Sequence, residues 1–173
     1  MNTPIARNKQ PTGLKFGSLA IALLSTLWAS HLAAEEPAFV ELRALSSRLA
    51  HRMVLAAIED CAGRGYWVSA SVVDRNGNLV AFLRDPLSGP HTIEVSQRKA
   101  FTSATTRQST SQLSSRPDLN FAPGMLLIVG GLPIKFNGQF YGGIAVAGAT
   151  PGMDEECARA GIEAVSAILN FVE

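Results

Sequence analysis

Two Asn-Gly pairs, Asn76-Gly77 and Asn137-Gly138, each lie between apolar runs and constrain this chain more than any other feature. Both residue types enter the left-handed backbone region at low cost, which a tight reversal between antiparallel strands requires. Residues 67–73 and 79–83, rich in β-branched and aromatic side chains, read as the strands of a first hairpin. Asp74 is placed to accept hydrogen bonds from the turn's own backbone. The stretch 84–90, with Pro86 and Pro90, cannot continue a central strand because proline lacks an amide donor, and it reads as a loop. Near the second pair, 125–129 reads as an apolar strand and Gly130-Gly131 as a break. Leu132-Pro133-Ile134 then makes a short extended piece leading to Lys135-Phe136, and 140–147 is the return strand. Gly142 and Gly143 inside it mark a bulge or the close approach of another group.

Three helices accompany the hairpins. Over 38–62, Leu42, Leu45, Leu49, Met53 and Ala56 recur at three- and four-residue steps and make a stripe for the sheet. His51, Val54, Leu55 and Ile58 make a second apolar arc, expected to meet another subunit, a ligand or another part of the chain. Gly63 and Gly65 end that helix. From Thr92 to about Thr106 a helix opens at His91 or Thr92, with Ile93, Gln97, Ala100, Phe101 and Ala104 on one side. The polar stretch 107–124 follows as a long loop. A last helix begins after Pro151-Gly152, with Asp154, Glu155 and Glu156 in its first turn, where the dipole favours acids. Cys157, Gly161, Ala164, Ile168 and Val172 form its expected buried stripe. The order helix, hairpin, helix, hairpin, helix gives an α+β domain with helices layered on an antiparallel sheet.

Residues 1–34 read as a signal peptide: Arg7, Lys9 and Lys15 precede an apolar run over 16–28, too short for a confident span, and small residues lead to cleavage after Ala34. The remaining 35–173 form one domain whose charge falls to 12 basic against 14 acidic residues. That balance carries no basic stripe for nucleic acid, and no later run is fit to be an integral membrane segment. The expected location is periplasmic or secreted. Cys61 and Cys157 are then either a disulfide or two buried thiols. The first closes if their Cα atoms come within about 7 Å.

No nucleophile elbow, phosphate loop, paired-histidine helix or cysteine-histidine cluster occurs. His51 on its apolar arc is either a packed interface residue or a neutral imidazole for heme iron. His91 reads as a surface or capping residue, and Arg98-Lys99 as a solvated face from which Lys99 can lean toward an anion such as a propionate. The acidic first turn of the last helix serves the dipole or holds a hard cation weakly.

Taken together, "VSASVVDRNGNLVAFLRD", "EVSQRKAFTSATTRQST" and "GGLPIKFNGQFYGGIAVAGATPGMDEECARAGIEA" resemble the GlcG/HbpS family of heme-binding proteins, which also takes in the C-terminal domain of propanediol-utilisation corrinoid proteins. The likeness spans roughly residues 40 to 170. Ala145 and Ala147 depart from the glycine and serine usual in the family, and Cys157 from a small residue. The resemblance implies a three-layer α/β/α sandwich with a central antiparallel sheet, profilin-like, that assembles as a homo-oligomer. It also implies an exported heme-binding or heme-sensing protein rather than an enzyme. Joined to the second apolar arc, that expectation makes His51 the candidate iron ligand with Leu55 beside it, and Lys99 and Thr102, which match the family's motif, the further cofactor-binding positions. The competing readings are an operon-associated enzyme or accessory protein acting on a small metabolite, or a weak heme-dependent peroxidase.

Overall fold

Four strands and three helices account for most of residues 38–170, the part of the chain that the computed structural model describes. The proposed signal segment and Val172 lie outside the described residues. Helix α1 is Ser47–Gly63, β1 Ser69–Asp74, β2 Leu79–Arg84, α2 Thr92–Thr106, β3 Gly131–Phe136, β4 Gln139–Ala147 and α3 Pro151–Asn170. The sheet order is β2-β1-β4-β3, antiparallel throughout. Helices α1 and α3 cover one face and α2 the other, the three-layer α/β/α arrangement expected.

The two reversals differ. Asn137 and Gly138 both have positive φ, 48° and 73°, and close β3 onto β4 as the tight turn their pairing demands. At the first, only Gly77 is left-handed, and Asp74 holds a wider loop: its carboxylate accepts from the amides of Asn76 at 2.8 Å and Asn78 at 2.9 Å. Burial opposes that charge most, but the hydrogen bonds together outweigh it and hold Asp74 below the usual carboxylate range.

Helix α1 starts at Ser47, not at 38, because Ser46 caps it by accepting from the Leu49 amide at 3.3 Å. Its buried residues are Ala50, Met53, Val54, Ala57, Ile58 and Cys61, so the expected two stripes merge into one. Leu45 and Leu49 pack at the edge of this core, while Leu42 is exposed. Val54 and Ile58 of the second arc go inward, and His51 and Leu55 stay outside. In α3 the buried set is Asp154, Cys157, Ala158, Gly161, Val165 and Leu169, whereas Ala164 and Ile168 are exposed. Gly161 lets α1 pass close: a β-carbon there would stand 2.6 Å from the Met53 carbonyl. Cys61 and Cys157 are bridged across the same contact, with Cα atoms 5.6 Å apart. Closing a loop of 96-residue separation is worth about 4–5 kcal/mol in the chain-entropy picture.

The run 125–129 is not a strand. Its backbone is claimed by α2 side chains: Arg98 Nη2 donates to the Met125 carbonyl at 2.8 Å, and the Leu126 amide donates to Thr102 Oγ1 at 2.7 Å. Groups satisfied that way have no need of a sheet neighbour. Within α2, Ala100 and Ala104 of the expected side are buried, but Ile93 is 37% exposed, and Ser96 and Ser103 complete the packed face in its place.

Candidate functional site

Three places in the described part of the fold gather side chains capable of binding chemistry. The first is the outer flank of α1. His51 is exposed, and Leu55, one turn further on, is 37% exposed. At 100° per residue both lie well round the helix from Met53, which faces α3 at the Gly161 crossing. An imidazole so placed is reachable from solvent, with an apolar neighbour beside it.

The second is a cleft of about 510 Å³ where the start of α1 meets the end of α3 and Tyr141 of β4. Leu45, Leu49, Tyr141 and Leu169 supply its apolar floor. Arg43, Arg48 and Arg52 stand around it, and none of them forms an ion pair among the described residues. Elsewhere the arginines at 64, 98, 116 and 159 each find a carboxylate nearby in sequence, while Arg75 and Arg107 lie over the Phe140 ring and Arg84 donates to the Ser88 carbonyl, none of these three forming an ion pair among the described residues. Arg48 and Arg52 are instead like charges at i, i+4, which cost a helix about 0.2–0.5 kcal/mol. The sequence reading missed this cleft, because an arginine at a helix start and a leucine near a chain end reveal nothing of their meeting.

The third is buried. Lys99, expected on a solvated face, is 1% exposed. Its Nζ donates to Asp154 Oδ2 at 2.7 Å and to the Val146 carbonyl at 3.1 Å, while Asp154 Oδ1 accepts from the Ala149 amide at 2.9 Å. Asp154 is thus a structural counter-charge for α2 rather than a free dipole partner. Burial pushes the lysine down and the aspartate up, both toward neutrality, and their mutual attraction opposes it. Thr102, also buried, donates to the Arg98 carbonyl at 2.8 Å and accepts from Leu126, so both sides of its hydroxyl are used. Among the described residues no group of three or more His, Cys, Asp or Glu is arranged to hold a metal ion.

The four expected site residues therefore do not converge within one chain. His51 and Leu55 belong to α1 on one face of the sheet, and Lys99 and Thr102 to α2 on the other. Lys99 is withdrawn from any propionate by its own carboxylate partner.

Known proteins resemble this chain over nearly the whole of the described part. The family described as "Haem degrading protein HbpS-like" matches residues 45–163. Protein GlcG of Escherichia coli strain K12 is 31% identical over 107 residues, 59% of this chain and 80% of that protein. A crystal structure of HbpS is 37% identical, covers 76% of this chain and 97% of its own, and superposes with a TM-score of 0.70. The crystal structure of a PduOC:heme complex, at 24% identity and a TM-score of 0.66 over 70% of this chain and 95% of its own, shares the fold. No described helix is long and apolar enough to cross a membrane. By the family match and these likenesses, the chain belongs to the HbpS-like family.

Proposed function

We propose that this protein is an exported, oligomeric heme-binding protein in which His51 ligates the iron and Leu55 packs on the porphyrin. The observation that carries the reading is the exposed imidazole on the outside of α1, one turn from a half-exposed leucine, in a chain of this family. The donor set fits: a neutral imidazole is a common axial ligand of heme iron, and its ring is not buried in the chain's own core. Heme bound here supplies a redox-active iron whose behaviour the axial ligand and surrounding polarity tune. His51 and Leu55 are the residues of this chain that would hold such a molecule, and in an oligomer a second copy would shield it from water. Lys99 and Thr102 support the sheet and the 107–130 segment from the opposite face, without touching heme held by the same chain. Export is supported by the Cys61–Cys157 bridge, which persists in an oxidising compartment.

Hemin titration of the chain beginning at Glu35 tests this. A Soret shift should saturate for wild type and His91→Ala and be lost or strongly weakened in His51→Ala. Equal affinities for all three would move the ligand to another residue. Because the family description names haem degradation, loss of the Soret band on adding ascorbate in air reports turnover in the same experiment.

A further inference from the structure

The cleft at the start of α1 has a composition that packing alone does not explain. Its floor is apolar, with Leu45, Leu49, Tyr141 and Leu169, yet three guanidiniums gather beside it without a carboxylate among the described residues. Two of them, Arg48 and Arg52, are a turn apart on the same helix and repel one another. Its volume of about 510 Å³ falls in the range of pockets that enclose small organic ligands.

We propose that this cleft is a second ligand site, taking an amphipathic carboxylate whose head is held by Arg43, Arg48 and Arg52 while its apolar body lies on Leu49, Tyr141 and Leu169. The planar, forked guanidinium matches a carboxylate with two parallel hydrogen bonds, and weak hydration lets it work at an apolar boundary. A small inorganic anion would leave the floor wet. A neutral alcohol of the same body would leave the arginines repelling each other. Only a molecule with both parts satisfies both halves of the lining. His51 is not in the lining, although Arg48 and Arg52 flank it on the same helix, so the two sites are neighbours with separate linings and the experiment must tell them apart.

Laurate is the probe, titrated by calorimetry into the heme-free chain beginning at Glu35, with dodecanol and inorganic phosphate as the two half-ligands. Laurate should bind saturably at one per chain, with dodecanol and phosphate each at least about tenfold weaker. Arg48→Gln/Arg52→Gln should weaken laurate by about tenfold or more while unfolding at or slightly above the wild-type temperature, since the like-charge pair is gone. His51→Ala should bind laurate as the wild type does, and saturating laurate should leave the hemin Soret band unchanged. Equal binding of laurate and dodecanol, no saturable laurate binding, or laurate affinity unchanged in the double variant would each overturn the site. Displacement of hemin by laurate, or loss of laurate binding in His51→Ala, would also overturn it by showing one site in place of two. Failure of hemin binding with laurate binding intact would sink the heme reading alone.

Discussion

The two faces of the sheet are held by different physics. Toward α1 and α3, β1 and β4 present Ala70, Val72, Ile144 and Val146, with Leu132 and Ile134 from β3, against Met53, Val54 and Val165. That face is stabilised by apolar area removed from water, at roughly 25 cal/mol per Å². Toward α2 the same strands present Ser69, Ser71, Gly143 and Ala145. There the helix comes so near that β-carbons on two glycines would meet its backbone: Gly143 the Ala100 carbonyl, and Gly131 the Lys99 carbonyl at 2.6 Å. An oily layer tolerates changes that conserve volume. A layer defined by close approach and paired hydroxyls does not.

The largest expected effect is at that approach. Gly143→Val would drive a branched side chain into the main chain of α2 at Ala100 and Ala104, where the nearest atoms are all backbone and no flexible side chain can yield. It should cost more than about 4 kcal/mol or abolish folding. Val146→Ile on the oily face should cost about 1–3 kcal/mol at most. Urea unfolding of both variants makes the comparison, and a Gly143→Val chain as stable as wild type would break it.

Next in size is the buried pair that ties α2 to the start of α3. Removing one partner strands the other charge, so Lys99→Met should cost about 3–5 kcal/mol near neutral pH. Lys99→Met/Asp154→Asn should recover most of that, since asparagine keeps an oxygen for the Ala149 amide. The pH dependence has a definite sign. Asp154 is raised above its ordinary 3.8, so the folded chain binds that proton more tightly than the unfolded one does. Its contribution to stability therefore falls as pH rises from 3.8 through the raised folded value. Lys99 is lowered from 10.5, and its contribution rises with pH between the lowered value and 10.5. With Lys99 replaced by Met, the acidic slope should steepen, because Asp154 has lost its counter-charge. Equal slopes in wild type and variant would remove the pair as the cause.

What the sequence made legible follows the same division. The hairpins, the helix order and the layers could be read because Asn-Gly turns, alternating strands and three-four periodicity are local signals. The oily face obeyed them. The α2 face did not, since its packed residues are serine, threonine, glycine and alanine, which carry no hydrophobic period. Lys99 read as solvated because its partner lies 55 residues away in sequence. The run 125–129 read as a strand because nothing local announces that Arg98 and Thr102 will take its backbone groups. Leu42 was drawn into α1 because its spacing fitted, although Ser46 was the available stop signal. Of the candidate site, His51 and Leu55 were named as part of a second arc, but its other members, Val54 and Ile58, pack into the core and only these two stay outside. The arginine cleft joins the start of α1 to the end of α3 and had no local signature.

The smallest expected effect is the most discriminating between the two faces, and it concerns Ser71 of β1 and Ser96 of α2. Their hydroxyls are 2.8 Å apart and buried, and Ser96 Oγ also donates to the Ile93 carbonyl at 3.0 Å. A hydroxyl has one proton, so with that of Ser96 on Ile93, Ser71 donates to Ser96. The single substitutions are then unequal. Ser71→Ala removes a donor and leaves Ser96 its bond to Ile93, for about 1 kcal/mol or less. Ser96→Ala strands the Ser71 hydroxyl against a helix with no acceptor, for about 1–3 kcal/mol. The double variant leaves nothing polar behind on either partner, so it should be more stable than Ser96→Ala alone. Val72, the next residue of the same strand, points into the oily layer. Val72→Ala should lose about 2 kcal/mol there, and adding Ile144→Val should deepen the loss rather than relieve it. Rescue by a second substitution on one face and accumulation on the other is the expected pattern in a set of denaturant midpoints. Accumulation on both faces would mean that the serine pair stabilises by packing alone and that the two layers do not differ as argued.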